Sequence, residues 1–329
     1  GGEAGPAAAP EVMGATSGSL EARSLLPERT AGRLRVVVLG SGWGSCAFMK
    51  ALQADGAYDV VVVSPRNFFL YTPLLPGAAV GSVEERSIVE PVRKIIAGKG
   101  EYLEAQCIGV DPEAKRITCR AADVASEAGR LGRSCPWHSF ELDYDYLVIS
   151  VGSTTNDFNT PGAAEHCLFL DTRAQAERFH RSLLNQYMKA QASERGTTRE
   201  PINVAIIGAG ATGVELSAEL HHAAQMLRAY GFNRISPEDL NINIIEASPR
   251  LLPALPERIS GPVTEILRDL GVHLHTGSPV KEVKADRLVL GNGEEIPASL
   301  KVWAAGIRAP AFLATLGMPT NRINQLEVD

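Results

Sequence analysis

The sequence lacks three features that would narrow its function at once. It contains no uninterrupted apolar run of 18 residues, so it predicts no transmembrane helix. It has no excess of basic residues, because 38 Asp and Glu outnumber 32 Lys and Arg, and nothing therefore favours a nucleic-acid partner. It has no closely spaced cysteine pair, which argues against a disulfide framework and a redox-active dithiol. We expect most of the five scattered cysteines to be small buried hydrophobic residues: Cys46, Cys107, Cys119, Cys135 and Cys167.

The most informative segment is Asn203–Leu220, which predicts a strand, a glycine turn and a helix in succession. Val204–Ile207 is a short β-branched run, and Gly208, Gly210 and Gly213 follow it as G-x-G-x-x-G. In such a motif the first glycine makes the turn, the second lets a pyrophosphate approach, and the third lets the helix pack closely. The helix N-terminus then offers N–H groups to the phosphates. The predicted contacts are Gly208, Gly210, Ala211, Thr212 and Gly213.

A second copy of this pattern begins 168 residues earlier, where Gly40 and Gly42 follow the apolar run Val36–Leu39. Its last glycine, Gly44, comes one position early, and Ser45 stands where the third glycine is expected. Each turn alone could belong to another α/β fold, but two of them in 329 residues indicate two dinucleotides held by two domains. The predicted contacts of this turn are Gly40, Ser41, Gly42, Trp43 and Gly44.

The second strand of each unit ends where a Rossmann fold meets the adenosine ribose. In the second unit the strand Asn241–Ile245 ends at Glu246, an acid that favours NADH over NADPH. Glu246 lies further along the sequence from Gly208 than is usual in this fold, and the polar insertion Arg228–Asp239 accounts for most of the excess. In the first unit the strand ends at Ser64, Pro65 and Arg66, which taken alone would also suit a 2′-phosphate.

Three further stretches are expected near a ligand. Asn67–Val80 is apolar but contains Pro73 and Pro76, so we predict an irregular buried segment that packs on a planar ring or forms an Ω-type loop. Two apolar strands end in glycine, which allows close passage of a ligand. The residues predicted there are Gly152 and Ser153 after the first strand, and Ala305 and Gly306 after the second.

The remaining chain yields a coarser prediction. Residues 1–32 are expected to be a disordered tail. Helices are predicted over Ile88–Ala97, Asp171–Met188 and Pro256–Leu270, and a hairpin around Asp111. Long polar segments are expected at Ala121–Ser139 and Gln191–Glu200.

Together these motifs resemble the type II NADH:quinone oxidoreductases, and most closely the organellar members. The resemblance rests on GSGWG (Gly40–Gly44), SPRNFFLYTPLLPG (Ser64–Gly77), SIVEPVR (Ser87–Arg93), YDYLVISVGS (Tyr144–Ser153), IIGAGATGVELSAEL (Ile206–Leu220) and WAAGI (Trp303–Ile307). It implies an α/β fold with two Rossmann-like domains, in which the NADH domain interrupts the FAD domain. The implied boundaries are 33–165 for the first part of the FAD domain, 166–302 for the NADH domain and 303–329 for the return.

The resemblance also implies the chemistry. FAD and NADH are the implied cofactors, and a membrane quinone is the implied acceptor. Ser64 and Arg66 are then assigned to FAD adenosine, while Thr72, Pro73 and Leu74 are expected to line the flavin ring. The implied location is the mitochondrial inner membrane, reached peripherally, with a plastid membrane as the alternative, and a homodimer stays open.

The family's Gly-Asp flavin motif, quinone segment and amphipathic C-terminus do not appear before Asp329, so we expect the sequence to be a fragment. Two other functions therefore stay open. One is another flavoprotein reductase with two dinucleotide domains, and the other is a remnant that binds NADH without turnover.

Glu215 is the predicted catalytic residue. The resemblance places it near the junction of flavin and nicotinamide, whereas the spacing of Thr212 and Glu215 also fits a helix capping box. His221 and His222 are adjacent and cannot share one helix face, so we expect surface residues and no metal site.

Overall fold

The computed structural model describes residues 26–52, 56–121, 139–192 and 201–328. Residues 1–25 of the expected tail, residues 122–138 of the predicted polar segment and residues 193–200 of the predicted linker lie outside the described residues. By its internal packing the chain divides into two units. The first falls within Gly1–Asn67 and Ile96–Ser150, and the second within Phe68–Ile95 and Val151–Asp329. The functional boundaries predicted from the sequence stay a prediction.

The first unit is built on a six-stranded mixed sheet, in which four strands at one end run parallel and the pairs at the other end are antiparallel. β1 (Leu34–Leu39) pairs in parallel with β2 (Tyr58–Ser64) on one side and with β8 (Tyr146–Ile149) on the other. Val36–Leu39 is almost completely buried, because side chains on both faces of a central parallel strand are covered. The glycine turn after β1 leads into α1 (Trp43–Ala51). The sheet continues from β2 through β5 (Glu101–Asp111), β6 (Arg116–Ala121) and β7 (Phe140–Asp143).

β5 and β6 form the hairpin predicted around Asp111, and they place Cys107 directly opposite Cys119. The two thiols hydrogen-bond to each other, which lowers the pKa of Cys107, and the same contact together with burial raises the pKa of Cys119. Both cysteines are free and buried, as predicted. Their pairing depends on the register of the hairpin, which shifts between Cys107 and Gly109.

The second unit contains a five-stranded parallel sheet with β11 (Ile202–Ile207) at its centre. β12 (Leu240–Ile245) lies on one side of β11 and β17 (Leu300–Trp303) on the other. The outer strands are β10 (Leu168–Phe169), next to β17, and β13 (His273–His275), next to β12. Because all five strands are parallel, their carboxyl ends meet at one edge, where ligands bind in open α/β sheets.

Helices pack on this second sheet through apolar faces. α6 (Ala211–Met226) buries Leu216, Leu220 and Ala224, which lie one turn apart. α5 (Arg173–Ala192) buries Phe179, Leu183 and Tyr187 at the same spacing. None of the helices in the described ranges has the length and apolar character needed to cross a membrane. The other elements of this unit are α4 (Ala163–His166), α7 (Glu257–Asp269), the antiparallel strands β14 (Val280–Val283), β15 (Arg287–Leu290) and β16 (Glu295–Pro297), and the pair β9 (Thr154–Thr155) and β18 (Ile307–Arg308).

The proline-containing segment after β2 is more regular than predicted. It forms β3 (Phe68–Leu70), a 3-10 turn at Thr72–Leu74 and α2 (Leu75–Val80), whose six residues are all buried. Proline is tolerated here because Pro76 lies in the first turn of α2, where its missing N–H would have had no helical partner. The helix predicted from Ile88 is wrong in its first half, because β4 (Val89–Pro91) pairs with β3 before α3 (Val92–Ile95) begins.

Candidate dinucleotide-binding sites

The turn after β11 separates the three roles expected of its glycines. Gly208 has φ of 104°, and a Cβ there would lie 2.8 Å from the backbone of Ala305. A Cβ on Gly213 would lie 2.0 Å from the carbonyl oxygen of Gly208, so this glycine allows the helix to pack against the turn. Gly210 is different, since a Cβ there would meet no atom of the described residues within 4 Å. Of the three glycines, only Gly210 is left without a packing reason for being glycine, and space for a ligand supplies that reason.

The helix that follows this turn has no side-chain cap. α6 begins at Ala211 with Gly210 as its N-cap residue, and no side chain hydrogen-bonds to the free N–H groups of the first turn. The capping box predicted from Thr212 and Glu215 is therefore wrong, because Thr212 already lies inside the helix. An uncapped N-terminus leaves backbone donors and the positive end of the helix dipole for a phosphate.

Glu246 lies at the carboxyl end of β12 and holds the glycine turn. One carboxylate oxygen accepts a hydrogen bond of 2.8 Å from the N–H of Ala209, and the other accepts one of 2.8 Å from the N–H of Ser248. A carboxylate has about four acceptor positions, so both oxygens keep capacity for ribose hydroxyls. The guanidinium of nearby Arg250 donates to the carbonyl oxygens of Leu252 and Pro253.

A cavity of about 530 Å³ opens over this edge of the sheet. Its floor includes Gly208 and Gly210, Glu246 lies on the β12 side, and Ala304–Gly306 lies on the β17 side. The remaining lining residues are Phe158, Thr160, Ile207, Ile245, Ala247, Pro253, Ser278, Pro279, Val280 and Trp303. An open glycine, uncapped helix donors and a carboxylate beside one cavity fit a dinucleotide with two phosphates and an adenosine ribose.

The predicted residues Ala305 and Gly306 form the cavity wall that follows β17. The indole N–H of Trp303 donates to the carbonyl oxygens of Ala305 and Asn156, each at 3.0 Å. Asn156 in turn donates its N–H to the carbonyl oxygen of Gly306 at 3.2 Å. These bonds fix the backbone of Ala305 and Gly306 beside the glycine turn.

The turn after β1 repeats this geometry in the first unit. Gly40 has φ of 109°, and a Cβ on Gly42 would meet no protein atom within 4 Å. A Cβ on Gly44 would lie 2.3 Å from the hydroxyl oxygen of Ser150, which follows β8. α1 also begins without a side-chain cap, and Trp43 at its first position is half exposed. Gly42 therefore has the same property as Gly210, and the first turn also fits a pyrophosphate.

Ser64 occupies the position in the first unit that Glu246 occupies in the second. It is buried, and its hydroxyl donates to the hydroxyl of Ser41 at 3.0 Å while accepting the N–H of Arg66 at 3.2 Å. In each unit a hydrogen bond therefore joins the end of the second strand to the glycine turn. The bond is between two neutral hydroxyl groups in the first unit and involves a carboxylate in the second. Pro65 and Arg66 are exposed.

The remaining predicted cofactor contacts lie in the second unit. Thr72, Pro73 and Leu74 are exposed in the 3-10 turn, directly before the buried α2. Gly152 and Ser153 are also exposed, and Gly152 has φ of 74°. Their predicted contact with the flavin stays a prediction.

Glu215 lies one turn into α6 and is exposed. No hydrogen bond or ion pair of Glu215 is found within the described residues, whereas Glu219 accepts a hydrogen bond of 2.6 Å from the hydroxyl of Ser82. Partial loss of hydration raises the pKa of Glu215, and repulsion from Glu219 adds to the rise. A carboxyl group with no hydrogen-bond or ion-pair partner in the described part of the chain is available to a ligand.

The sequence analysis missed Phe158, Thr160 and Ser278 as cavity residues. Each reaches the cavity through a loop that tertiary contacts position, and no glycine or charge pattern marks it. Asn156 could have indicated a turn at this point, because its side chain accepts the N–H of Phe158, two residues further on, in the kind of turn that Asn favours.

Comparison with known proteins supports this geometry. The family model described as pyridine nucleotide-disulphide oxidoreductase matches residues 34–329. A relative in Solanum tuberosum, external alternative NAD(P)H-ubiquinone oxidoreductase B1, mitochondrial, is 38% identical over 85% of this chain and 48% of its own length. The type II NADH:quinone oxidoreductase of Haemophilus influenzae is 35% identical over 89% of this chain and 69% of its own length. The structure of NDH2 from Plasmodium falciparum in complex with NADH has a TM-score of 0.74 and 26% identity, and the match covers 86% of this chain and 57% of that one.

The chain belongs to the pyridine nucleotide-disulphide oxidoreductase family. Within that family it is a member of the type II NADH:quinone oxidoreductases, as the resemblance implied. The predicted fold of two Rossmann-like domains is confirmed. The chain spans about half the length of the Solanum tuberosum protein.

Proposed function

We propose that this chain contributes the two dinucleotide sites of a type II NADH:quinone oxidoreductase, which oxidises NADH and reduces a quinone. The observation that carries the proposal is the cavity over Gly208 and Gly210 with Glu246 at its side. The structure of the similar Plasmodium falciparum protein is a complex with NADH, and the family membership supports FAD as the second cofactor. When bound, FAD supplies the hydride acceptor for NADH and the electron donor for the quinone.

The residues of this chain bind and orient the two dinucleotides. In the second unit the N–H groups at the start of α6 receive the NADH pyrophosphate, and Glu246 accepts hydrogen bonds from the adenosine ribose. In the first unit the uncapped start of α1 receives the FAD pyrophosphate beside Gly42. Glu215 supplies a carboxyl group next to the nicotinamide, with no competing protein partner in the described part of the chain.

The names of the relatives support the proposed location. Those of Solanum tuberosum and Yarrowia lipolytica carry mitochondrial names, which supports a mitochondrial location. We extend this to peripheral contact with the inner membrane, with a plastid membrane as the alternative, and to a homodimer. Flotation with liposomes of inner-membrane lipid composition and sedimentation equilibrium test these two extensions.

The function is tested by flavin absorbance and by NADH oxidation with a short-chain quinone. The expected result is bound flavin and quinone-dependent loss of NADH absorbance at 340 nm, the ordinary wavelength for this cofactor. Flavin with NADH oxidation but no quinone reduction would favour another flavoprotein reductase, and NADH binding without flavin would favour the non-catalytic remnant.

The matched variants are Gly42→Val and Gly210→Val. Neither new side chain meets protein within 4 Å of its Cβ, and neither glycine has a positive φ, so both variants are expected to fold. Gly42→Val should lose FAD and keep NADH binding, whereas Gly210→Val should do the reverse. Stoichiometric flavin in Gly42→Val would refute the FAD assignment of the first unit.

A further inference from the structure

The cavity is also lined by a loop around Phe158 that has an unusual backbone conformation. Phe158 has φ of 52° and Asn159 has φ of 53°, so two consecutive residues with side chains lie in the left-handed region. Asn tolerates this region, but a bulky residue such as Phe rarely adopts it. The loop is nevertheless fixed, because the N–H of Phe158 donates to the side chain of Asn156, which is itself buried and bonded to Gly306.

The strained residue also leaves its ring uncovered. Phe158 is 60% exposed and lines the cavity, so burial in the protein does not compensate for its backbone conformation. Its ring rests on Gly306, where a Cβ would lie 2.4 Å from the ring carbon Cζ. Gly306 has φ of 67° and carries no side chain, and this allows the ring to reach the cavity rim. Strain that gains no packing is a reason to look for a ligand contact.

The sheet order shows which half of a dinucleotide the ring would meet. β12 and β17 lie on opposite sides of β11, and the glycine turn follows β11 between them. Glu246 ends β12 and faces the adenosine ribose in the proposed function, so the other half of the dinucleotide extends toward the end of β17. Gly306 follows β17, and Phe158 lies on Gly306.

We infer that Phe158 is a positioning residue for the nicotinamide half of NADH, against which its exposed ring packs. The inference rests on the proposed function and adds to it a residue that sets how the reactive ring is presented. An aromatic contact of this kind corresponds to about a tenfold change in affinity. The contact should be absent for AMP, which contains only the adenosine half.

The experiment compares NAD⁺ and AMP binding by calorimetry in the unchanged protein and in Phe158→Ala, Phe158→Tyr and Tyr230→Ala. Tyr230 is the matched control, because it is an aromatic residue of the same unit that is 74% exposed and does not line the cavity. Phe158→Ala should weaken NAD⁺ about tenfold and leave AMP unchanged, Phe158→Tyr should restore NAD⁺ affinity, and Tyr230→Ala should change neither.

Equal weakening of NAD⁺ and AMP by Phe158→Ala would overturn the inference, since the ring would then act on the adenosine half or on the fold. Unchanged affinity for both would overturn it as well. Failure of the proposed function gives a different pattern, in which NAD⁺ binds and responds to Phe158→Ala but no quinone is reduced. Absence of NAD⁺ binding by the unchanged protein would refute both.

Discussion

At the scale of single residues, Glu246 has a structural role in the fold and a proposed role in nucleotide selectivity. Its carboxylate accepts the N–H groups of Ala209 and Ser248, and it also faces the predicted ribose position. The 2′-phosphate of NADPH would place like charges a few ångströms apart there. At 4 Å and an effective dielectric near 20 this costs about 4 kcal/mol, and solvent screening roughly halves it.

We therefore expect NADH to bind roughly 30- to 1,000-fold more tightly than NADPH. Glu246→Gln should reduce this ratio, because the charge is lost, and should also weaken the turn, because an amide keeps only one acceptor oxygen for two N–H donors. Dissociation constants for both nucleotides measure the effect, with Glu265→Gln as the control for an exposed acid on α7. Equal affinity for NADH and NADPH in the unchanged protein would refute this role of Glu246.

Glu215 is the second residue with a testable role. Glu215→Gln should slow flavin reduction by NADH about tenfold or more, the effect of losing one hydrogen bond to a charged group. Thermal stability should stay nearly constant, because Glu215 caps nothing and is exposed. Stopped-flow flavin absorbance measures the rate, and Glu265→Gln, at an exposed acid on α7, is the control. An unchanged rate would leave Glu215 without a catalytic role.

The raised pKa of Glu215 also fixes the sign of a pH effect. Because its pKa in the fold lies above the unfolded value, its contribution to stability is present below the unfolded pKa and is lost as the pH rises through the folded pKa. Glu215→Gln should therefore melt at the same temperature as the unchanged protein, or slightly higher, at neutral pH.

At the scale of elements, each strand, turn and helix unit depends on two kinds of glycine. Gly213 has no room for a Cβ, since it would lie 2.0 Å from the carbonyl oxygen of Gly208, whose own position is fixed by Ala305. Gly213→Ala should lower the free energy of unfolding by about 1–3 kcal/mol, the usual cost of overpacking. Gly210→Ala should keep its stability and lose NAD⁺ affinity, because its Cβ points into free space. Urea unfolding and calorimetry distinguish the two, and an unaltered stability of Gly213→Ala would contradict the packing argument.

The elements also show what the sequence could predict. The glycine turns, the hairpin around Asp111 and the helices α5 and α6 could be predicted, because each depends on a pattern within about 20 neighbouring residues. α2 was missed because the prediction treated Pro76 as a helix breaker, although proline in a first turn is permitted. The capping box at Thr212 was a local pattern that the glycine turn overrode, since Gly210 already serves as the N-cap residue.

Contacts between distant residues could not be read in this way. The bond from Ala209 to Glu246 joins residues 37 positions apart, and it depends on β12 pairing in register with β11. The position of Cys107 opposite Cys119 depends on a hairpin with a register shift. Phe158 reaches the cavity because Asn156 bonds to Gly306, about 150 positions further along the chain. Registers and loop anchors are set by the assembled sheet, so the sequence alone does not show them.

At the scale of the whole molecule, the two units carry the same turn, each after a strand with parallel neighbours on both sides in its own sheet. The assignment of FAD to the first and NADH to the second predicts that each ligand protects a different set of backbone amides. NAD⁺ is used in place of NADH so that no electrons are transferred during the measurement. Hydrogen exchange should slow at Gly208–Gly213 and at Ser248 on addition of NAD⁺, and at Gly40–Ser45 on addition of FAD.

The expected protection follows from mass action, because a site saturated at 100 times its Kd exchanges through the free form about 100-fold more slowly. Gly210→Val should lose the NAD⁺ protection at its own turn and keep the FAD protection at the other, since its side chain fills only the space beside α6. Gly42→Val should show the opposite loss. Protection of Gly40–Ser45 by NAD⁺ would show that the first unit binds NADH and that the two assignments must be exchanged. Protection of both turns by one ligand would show that neither turn is selective.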